Sequence, residues 1–162
     1  MPLPAFIIPP PEDGPERKLV SDVKSVGWHA VHISADEQGP CFTFTVGFYY
    51  TFQVPEILVM GLRHEVSHEL LRTAASQLKE GKSFPQFKGV SGFAEGYDCA
   101  FAPIKIEHYR NYLGFAMWFY RTLNKPFPAL QLIWPDKGGR FPWEANYDTV
   151  FLAAQKALYE PP

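Results

Sequence analysis

The feature that most limits what this chain can fold into is a series of short apolar segments with the period of β-strands. The clearest is CFTFTVGF (41–48), in which apolar side chains alternate with threonines. EILVMG (56–61) is almost continuously apolar, which is typical of a central strand buried on both faces. Three further segments are predicted strands: WHAVHIS (28–34), YDCAFAPIKI (97–106) and ALQLIW (129–134).

Segments with the period of an α-helix lie between these strands. Residues 15–26 predict a short N-terminal helix, and 62–80 predict the clearest amphipathic helix of the chain. A second strong helix is predicted over 107–121 and a weak one over 149–158. The fold class expected is therefore α+β: one mainly antiparallel β-sheet packed with two main α-helices, plus a short N-terminal and a weak C-terminal helix.

The length of 162 residues suits one domain. We predict a Pro-rich arm over residues 1–14 and a single α+β domain over 15–162. Phe6, Ile7 and Ile8 either dock this arm onto the domain or leave it disordered. The N-terminus has no basic region typical of a signal peptide, and no segment reaches the roughly 18 apolar residues of a membrane span, so a cytoplasmic location is expected.

The charge of the chain limits its expected partners, and its location determines the expected state of its cysteines. The formal net charge is −2 and no run of lysine and arginine stands out, which argues against nucleic acid and membrane as partners. In a cytoplasmic protein the two cysteines, Cys41 and Cys99, are expected to be reduced and packed as small apolar groups.

The predicted helix 107–121 is unusual because aromatic side chains lie on two of its faces. On a helical wheel one apolar face meets the sheet, whereas Arg110, Trp118 and Arg121 lie on the opposite face, with Phe115 at its edge. One explanation is that the Pro-rich arm or the RFPWE loop covers Trp118. The other is that these residues contact a protein partner or a second copy of the chain, because Trp and Arg dominate such surfaces.

A second aromatic group lies in PALQLIWPDKGGRFPWE (128–144). Trp134, Phe141 and Trp143 could wall a pocket for a small ligand, with Asp136 and Arg140 as its polar groups. Alternatively, the three rings form a small core that holds a long loop against the sheet.

The segment HEVSH (64–68) matches the H-E-x-x-H pattern of zinc hydrolases. On a helix, His64 and His68 lie one turn apart and could bind one zinc ion, with Glu65 as the general base. The match lies in the first helical turn, however, and nothing singles out a third ligand. The alternative is two histidines at the solvent edge of an amphipathic helix.

Four segments in order resemble a bacterial family known as domain of unknown function 4262. They are GWHAVHI, GPCFTFTVGFYYTFQVPEILVMGL, YLGFAMWFY and FPALQLIWPDKGGRFPWE, within residues 27–144. The resemblance implies a small, soluble, cytoplasmic bacterial protein and brings no reaction, cofactor or catalytic residue. It also implies that the position of His64 is commonly Pro or another residue, which would make the H-E-x-x-H match incidental.

Together these patterns predict a non-enzymatic module, without a cofactor, that binds a protein or a small ligand through an aromatic and arginine-rich surface. A homodimer through this surface is one form of that prediction. The alternative function is a zinc-dependent hydrolase that uses residues 64–68. The predicted interaction residues are Arg110, Phe115, Trp118, Arg121, Trp134, Asp136, Arg140, Phe141 and Trp143.

Overall fold

The computed structural model describes residues 2–162, in which six strands form one sheet in the order β1-β2-β3-β6-β5-β4. Four of the five strand pairings in this part of the chain are antiparallel, and β3 and β6 are parallel, which confirms the mainly antiparallel sheet. The strands are β1 (His29–Ile33), β2 (Phe42–Val46), β3 (Glu56–Met60), β4 (Val90–Ala94), β5 (Tyr97–Pro103) and β6 (Ala129–Ile133).

Five α-helices accompany the sheet over residues 2–162. They are α1 (Gly14–Val26), α2 (Phe48–Phe52), α3 (His64–Lys79), α4 (Tyr109–Tyr112) and α5 (Gly114–Phe119). The single helix predicted over 107–121 is instead a 3₁₀ turn (Ile106–His108) followed by α4 and α5, which are separated at Leu113 (φ −121°, ψ 36°). The sequence pattern predicted neither α2 nor β4.

Local sequence explains where α1 begins and ends. The side chain of Asp13 accepts a hydrogen bond from the Glu16 backbone N–H at 2.8 Å, which caps the first turn. Gly27 (φ +101°) adopts the left-handed conformation that ends many helices, and its N–H donates to the carbonyls of Asp22 and Val23.

The sheet is covered on both faces. Leu58 and Met60 of β3 share one hydrophobic cluster with side chains from α1, α4 and α5, whereas Ile57 and Val59 share another with α3. Every position of β3 is buried, as predicted for a central strand, because alternate side chains enter the two clusters.

The N-terminal segment packs against the first of these clusters. The ring of Phe6 lies 5.6 Å from that of Phe119 and 5.7 Å from that of Tyr120, measured between ring centres. The N–H of Leu3 donates to the carbonyl of Tyr50 at 2.8 Å. Ile8 also packs against this cluster, whereas Ile7 is 75% exposed.

The C-terminal segment is also packed, although not as the predicted helix. A 3₁₀ turn covers Thr149–Leu152, and the chain then extends along β6. The side chain of Gln131 donates to the Lys156 carbonyl at 2.8 Å and accepts from the Leu158 N–H at 2.9 Å. These bonds place Leu158 and Tyr159 in buried positions.

Candidate functional site

A buried carboxylate lies beneath α2. Glu56, the first residue of β3, is completely buried. It accepts a hydrogen bond from the Thr45 hydroxyl at 2.7 Å and three from the backbone N–H groups of residues 47–49, each at 3.0 Å. The hydroxyl of Tyr120 donates a fifth. The start of α2 is therefore held by a side chain from a different element, through contacts that the local sequence does not encode.

The two hydroxyl groups at Glu56 have defined roles. The Thr45 hydroxyl oxygen accepts the Ile57 N–H at 2.9 Å, and the Tyr120 oxygen accepts the Tyr50 N–H at 3.0 Å. Each hydroxyl proton is thus free to point at the carboxylate. Burial raises the pKa of Glu56, while the hydrogen bonds from Tyr120 and Thr45 oppose that rise. Burial and the neighbouring carboxylate also raise the pKa of Tyr120 well above its ordinary value, so Tyr120 remains a donor.

Tyr120 also lines a cleft of about 640 Å³ that opens beside α4, α5 and the turn that follows them. Its floor contains the buried rings of Tyr109, Tyr120 and Phe127. The ring of Phe127 lies 4.9 Å from each tyrosine ring, between centres, and the Tyr109 hydroxyl donates to the Phe127 carbonyl at 2.7 Å. These contacts make the floor apolar and well packed.

The rim of the cleft is cationic. Arg110, Arg121 and Lys125 line it and are exposed, and none of the ion pairs found within residues 2–162 includes them. Glu107 is the acidic residue among the lining groups, and its carboxylate is 2.9 Å from the ammonium of Lys105. The rim therefore carries an excess of positive charge on a chain whose net charge is −2.

The predicted aromatic residues of α5 adjoin this cleft. Trp118 and Phe115 are half-buried and pack against the core cluster on that side of the sheet. The ring of Trp118 lies 6.5 Å from that of Phe119, between centres, and the Arg121 guanidinium carbon is 5.9 Å from the centre of the Trp118 ring. Trp118 is thus covered in part by the core of its own chain and carries Arg121 over its indole.

The predicted residues of the loop after β6 separate into two groups. The Trp134 indole N–H donates to the Met60 carbonyl at 2.7 Å, and its ring contacts Phe151. Phe141 and Trp143 instead stack on each other at 5.2 Å, on the side of the molecule where Trp143 contacts Phe87 and Tyr159.

The polar members of that loop bind each other. Asp136 is 1% exposed and accepts the N–H groups of Gly138, Arg140 and Asp148, and its second oxygen is 3.2 Å from Arg140 Nε. The contacts of these residues hold the loop together, and a ligand site there remains a prediction.

The histidines of HEVSH meet a third histidine from β1. The rings of His32 and His64 stack with centres 4.5 Å apart and planes 26° apart, and the His68 ring lies 5.8 Å from that of His32. In the part of the chain that the structure describes, no group of three His, Cys, Asp or Glu side chains is placed to hold a metal ion. The geometry therefore does not support the zinc-hydrolase alternative.

Sequence reasoning identified Arg110 and Arg121 but not the other parts of the cleft. Glu56, which does not line the cleft but binds the hydroxyl of Tyr120, does carry a signal in the sequence, because it is a charged residue at the start of an otherwise apolar central strand. Lys125 has no such signal, because only the turn after α5 brings it to the same opening.

The comparisons with known proteins identify a family but no activity. The chain matches the model of the family described as "Domain of unknown function (DUF4262)" over residues 22–148. Comparison with curated proteins and with solved structures gives no match. None of the helices within residues 2–162 has both the length and the apolar character needed to cross a bilayer. Because the family match covers more than three quarters of the 162 residues and agrees with the resemblance of the four sequence blocks, the chain belongs to the DUF4262 family.

Proposed function

We propose that this protein is a non-enzymatic binding protein whose cleft beside α4 and α5 takes a small organic anion with an apolar body. The observation that carries the proposal is the combination of a closed apolar floor with three cations at the rim that have no ion-pair partner within residues 2–162. A volume of about 640 Å³ also lies within the range of small-molecule sites.

The two kinds of lining group would act on different parts of the ligand. The apolar floor and walls bury a hydrocarbon or ring portion, which supplies affinity without directional contacts. Arg110 and Arg121 present planar guanidinium groups that can each donate two parallel hydrogen bonds to a carboxylate, sulfonate or phosphate. Because these cations are exposed, binding should weaken as salt is added.

Trp118 fits this function as a positioning residue. Its indole lies beneath the Arg121 guanidinium, and a cation over an indole loses part of its freedom to point elsewhere. The half-buried position of Trp118 therefore serves the cleft, even though Trp118 does not line it.

The proposal is tested with 8-anilinonaphthalene-1-sulfonate, a fluorescent aromatic sulfonate. We expect saturable binding to the wild type and an affinity lowered roughly tenfold or more in the double variant Arg110→Gln/Arg121→Gln, since two charge-assisted contacts are lost. Arg72→Gln is the matched control, because Arg72 is an exposed arginine on α3, which covers the other face of the sheet. Equal affinity of the double variant and the wild type would refute the proposal.

A second candidate is contact with another copy of the chain through α5. Met117 is 42% exposed beside the half-buried Trp118, and apolar groups flanked by arginine are common in protein contacts. Sedimentation equilibrium of the wild type and of Trp118→Ala tests this candidate. A mass that rises with concentration in the wild type alone supports the dimer, and a constant monomer mass for both rules it out.

A further inference from the structure

The rings on the cleft floor have little open face. Phe127 contacts both Tyr109 and Tyr120, and the Tyr120 ring has further ring neighbours within 6 Å. Each of the three floor rings is less than 10% exposed. A nucleobase or other flat ring binds most strongly by stacking on an open aromatic face, and this floor does not provide one.

The apolar groups that are accessible in the cleft are aliphatic. Ile106 is 59% exposed and Met117 is 42% exposed, and Leu123 is half-buried beside them. Met adapts to irregular shapes because its side chain is unbranched and flexible. Such walls suit a flexible hydrocarbon chain better than a rigid planar group.

The positive charge of the rim determines which head group the ligand should carry. The cations of Arg110, Arg121 and Lys125 share the opening with one carboxylate, that of Glu107, which pairs with Lys105; Lys105 also lies 3.6 Å from Glu160. A single anionic head group can therefore be bound at the rim while its chain follows the aliphatic walls. A cationic head group would be repelled by these three cations, and a neutral one would gain no charge attraction from them.

From these contacts we infer that the ligand is a free single-chain acyl anion, such as a medium-chain carboxylate. This inference rests on the proposed function, since it specifies the ligand of the same cleft. The carboxylate is expected at the arginines, and the chain is expected against Ile106 and Met117.

Isothermal titration calorimetry with a series of carboxylates, all below the concentration at which they form micelles, tests the inference. Each added CH₂ between hexanoate and decanoate should tighten binding by roughly three- to fourfold, because each is buried against apolar walls. Decyltrimethylammonium, with the same chain and opposite charge, should bind at least about tenfold more weakly than decanoate. Adenosine monophosphate should also bind more weakly, since no ring face is open to its base.

Two variants locate the ligand. Met117→Ser should reduce the gain per CH₂, and Arg121→Gln should weaken decanoate roughly tenfold while leaving the gain per CH₂ unchanged. Both positions are exposed, so both variants are expected to fold. Arg72→Gln again serves as the control.

The outcomes separate the inference from the proposed function. If the naphthalene sulfonate binds through the arginines but affinity for carboxylates does not rise with chain length, the acyl assignment is wrong and the anion site stands. Tighter binding of adenosine monophosphate than of decanoate has the same meaning. If the protein sediments with phosphatidylglycerol vesicles but does not bind free decanoate, the acyl chain belongs to a membrane surface and the inference is overturned. Failure of every anion to bind refutes both proposals.

Discussion

Replacing Tyr120 by Phe removes one hydroxyl group from the interior while keeping the ring that lines the cleft. In the wild type that hydroxyl donates to the buried carboxylate of Glu56 and accepts the N–H of Tyr50 at 3.0 Å. The variant therefore leaves a buried carboxylate with one donor fewer and a backbone N–H without its acceptor. The ring contacts with Phe127 and Phe119 should be preserved.

The size of the effect follows from the charge of the acceptor. A hydrogen bond to a charged group contributes about 1.5–3 kcal/mol, and a buried donor that loses its partner costs about 1 kcal/mol more, so Tyr120→Phe should lower the free energy of unfolding by about 3 kcal/mol. Tyr109→Phe is the matched control. It removes a buried hydroxyl that donates to the neutral carbonyl of Phe127, and its cost should be only about 1 kcal/mol.

The pH dependence provides a second check. Burial raises the pKa of Glu56 in the folded protein above its unfolded-state value, so the folded state binds this proton more tightly. The contribution of Glu56 to the free energy of unfolding is therefore complete at a pH below its pKa in the unfolded state, and it is lost as the pH rises through its pKa in the folded state. Because Tyr120 stabilises the ionised form, Tyr120→Phe raises the folded pKa further, and its cost should shrink as the pH is lowered from about 8 to about 5.

Urea unfolding followed by circular dichroism measures these differences at each pH. A cost for Tyr120→Phe no larger than that of Tyr109→Phe would refute the reasoning, because it would mean that the hydroxyl does not stabilise a buried charge. A cost independent of pH would show that Glu56 does not change its protonation in this range.

Three further predictions concern other parts of the molecule. Burial, and then the positive charges of neighbouring histidines, lower the pKa of His32 below its ordinary 6.5. The free energy of unfolding should therefore be highest above pH 6.5 and decrease as the pH is lowered below that value. Urea unfolding of His32→Gln should show a weaker pH dependence than that of the wild type. A Cβ at Gly114, the first residue of α5, would meet no atom within 4 Å, so thermal and urea unfolding should show Gly114→Ala to be more stable by about 0.5 kcal/mol; a loss of stability would contradict this. Burial raises the pKa of Cys99 to about 12. An aromatic disulfide reagent should therefore label the half-buried Cys41 first, and Cys99 only as fast as the protein unfolds. Equal labelling rates for the two thiols would contradict the packing of β5.

The strands were predictable because burial of one or both faces of a strand leaves an alternating or continuous pattern of apolar residues in the sequence. Residues 42–46 alternate and residues 57–60 are apolar on both sides, and both segments became strands in the positions expected of them. α3 was predictable for the same reason, since its buried side chains recur at helical spacing.

The elements that were missed depend on contacts distant in sequence. FYYTF (48–52) consists of residues that favour strands, yet it forms α2 because the carboxylate of Glu56 accepts its first N–H groups. Gly47 (φ +119°) allows the turn into α2, where a Cβ would lie 2.6 Å from the Gly27 carbonyl oxygen. The strand Val90–Ala94 contains a glycine and a shift of register against β5, so its sequence has no clear alternation.

The candidate site shows the same division. A helical wheel places Arg110 and Arg121 on one side because they are local neighbours on a nearly helical segment. It cannot show that Lys125 reaches the same opening, since that depends on the turn after α5. Nor does it show that His32 stacks on His64, because β1 and α3 are brought together only by the sheet.

Because both terminal segments pack against the sheet, the region that matches the family and the packed fold have different boundaries. The family match begins at residue 22 and stops at residue 148. Outside these bounds, the ring of Phe6 packs against that of Tyr120 below the cleft, and the N–H of Leu158 donates to the side chain of Gln131 in β6. A fragment limited to residues 22–148 would expose the rings of Phe119 and Tyr120 that Phe6 contacts, and would leave the buried side-chain amide of Gln131 without the hydrogen bonds of Lys156 and Leu158. Any truncation or fusion of this protein should therefore keep both terminal segments, because the rest of the fold packs against them.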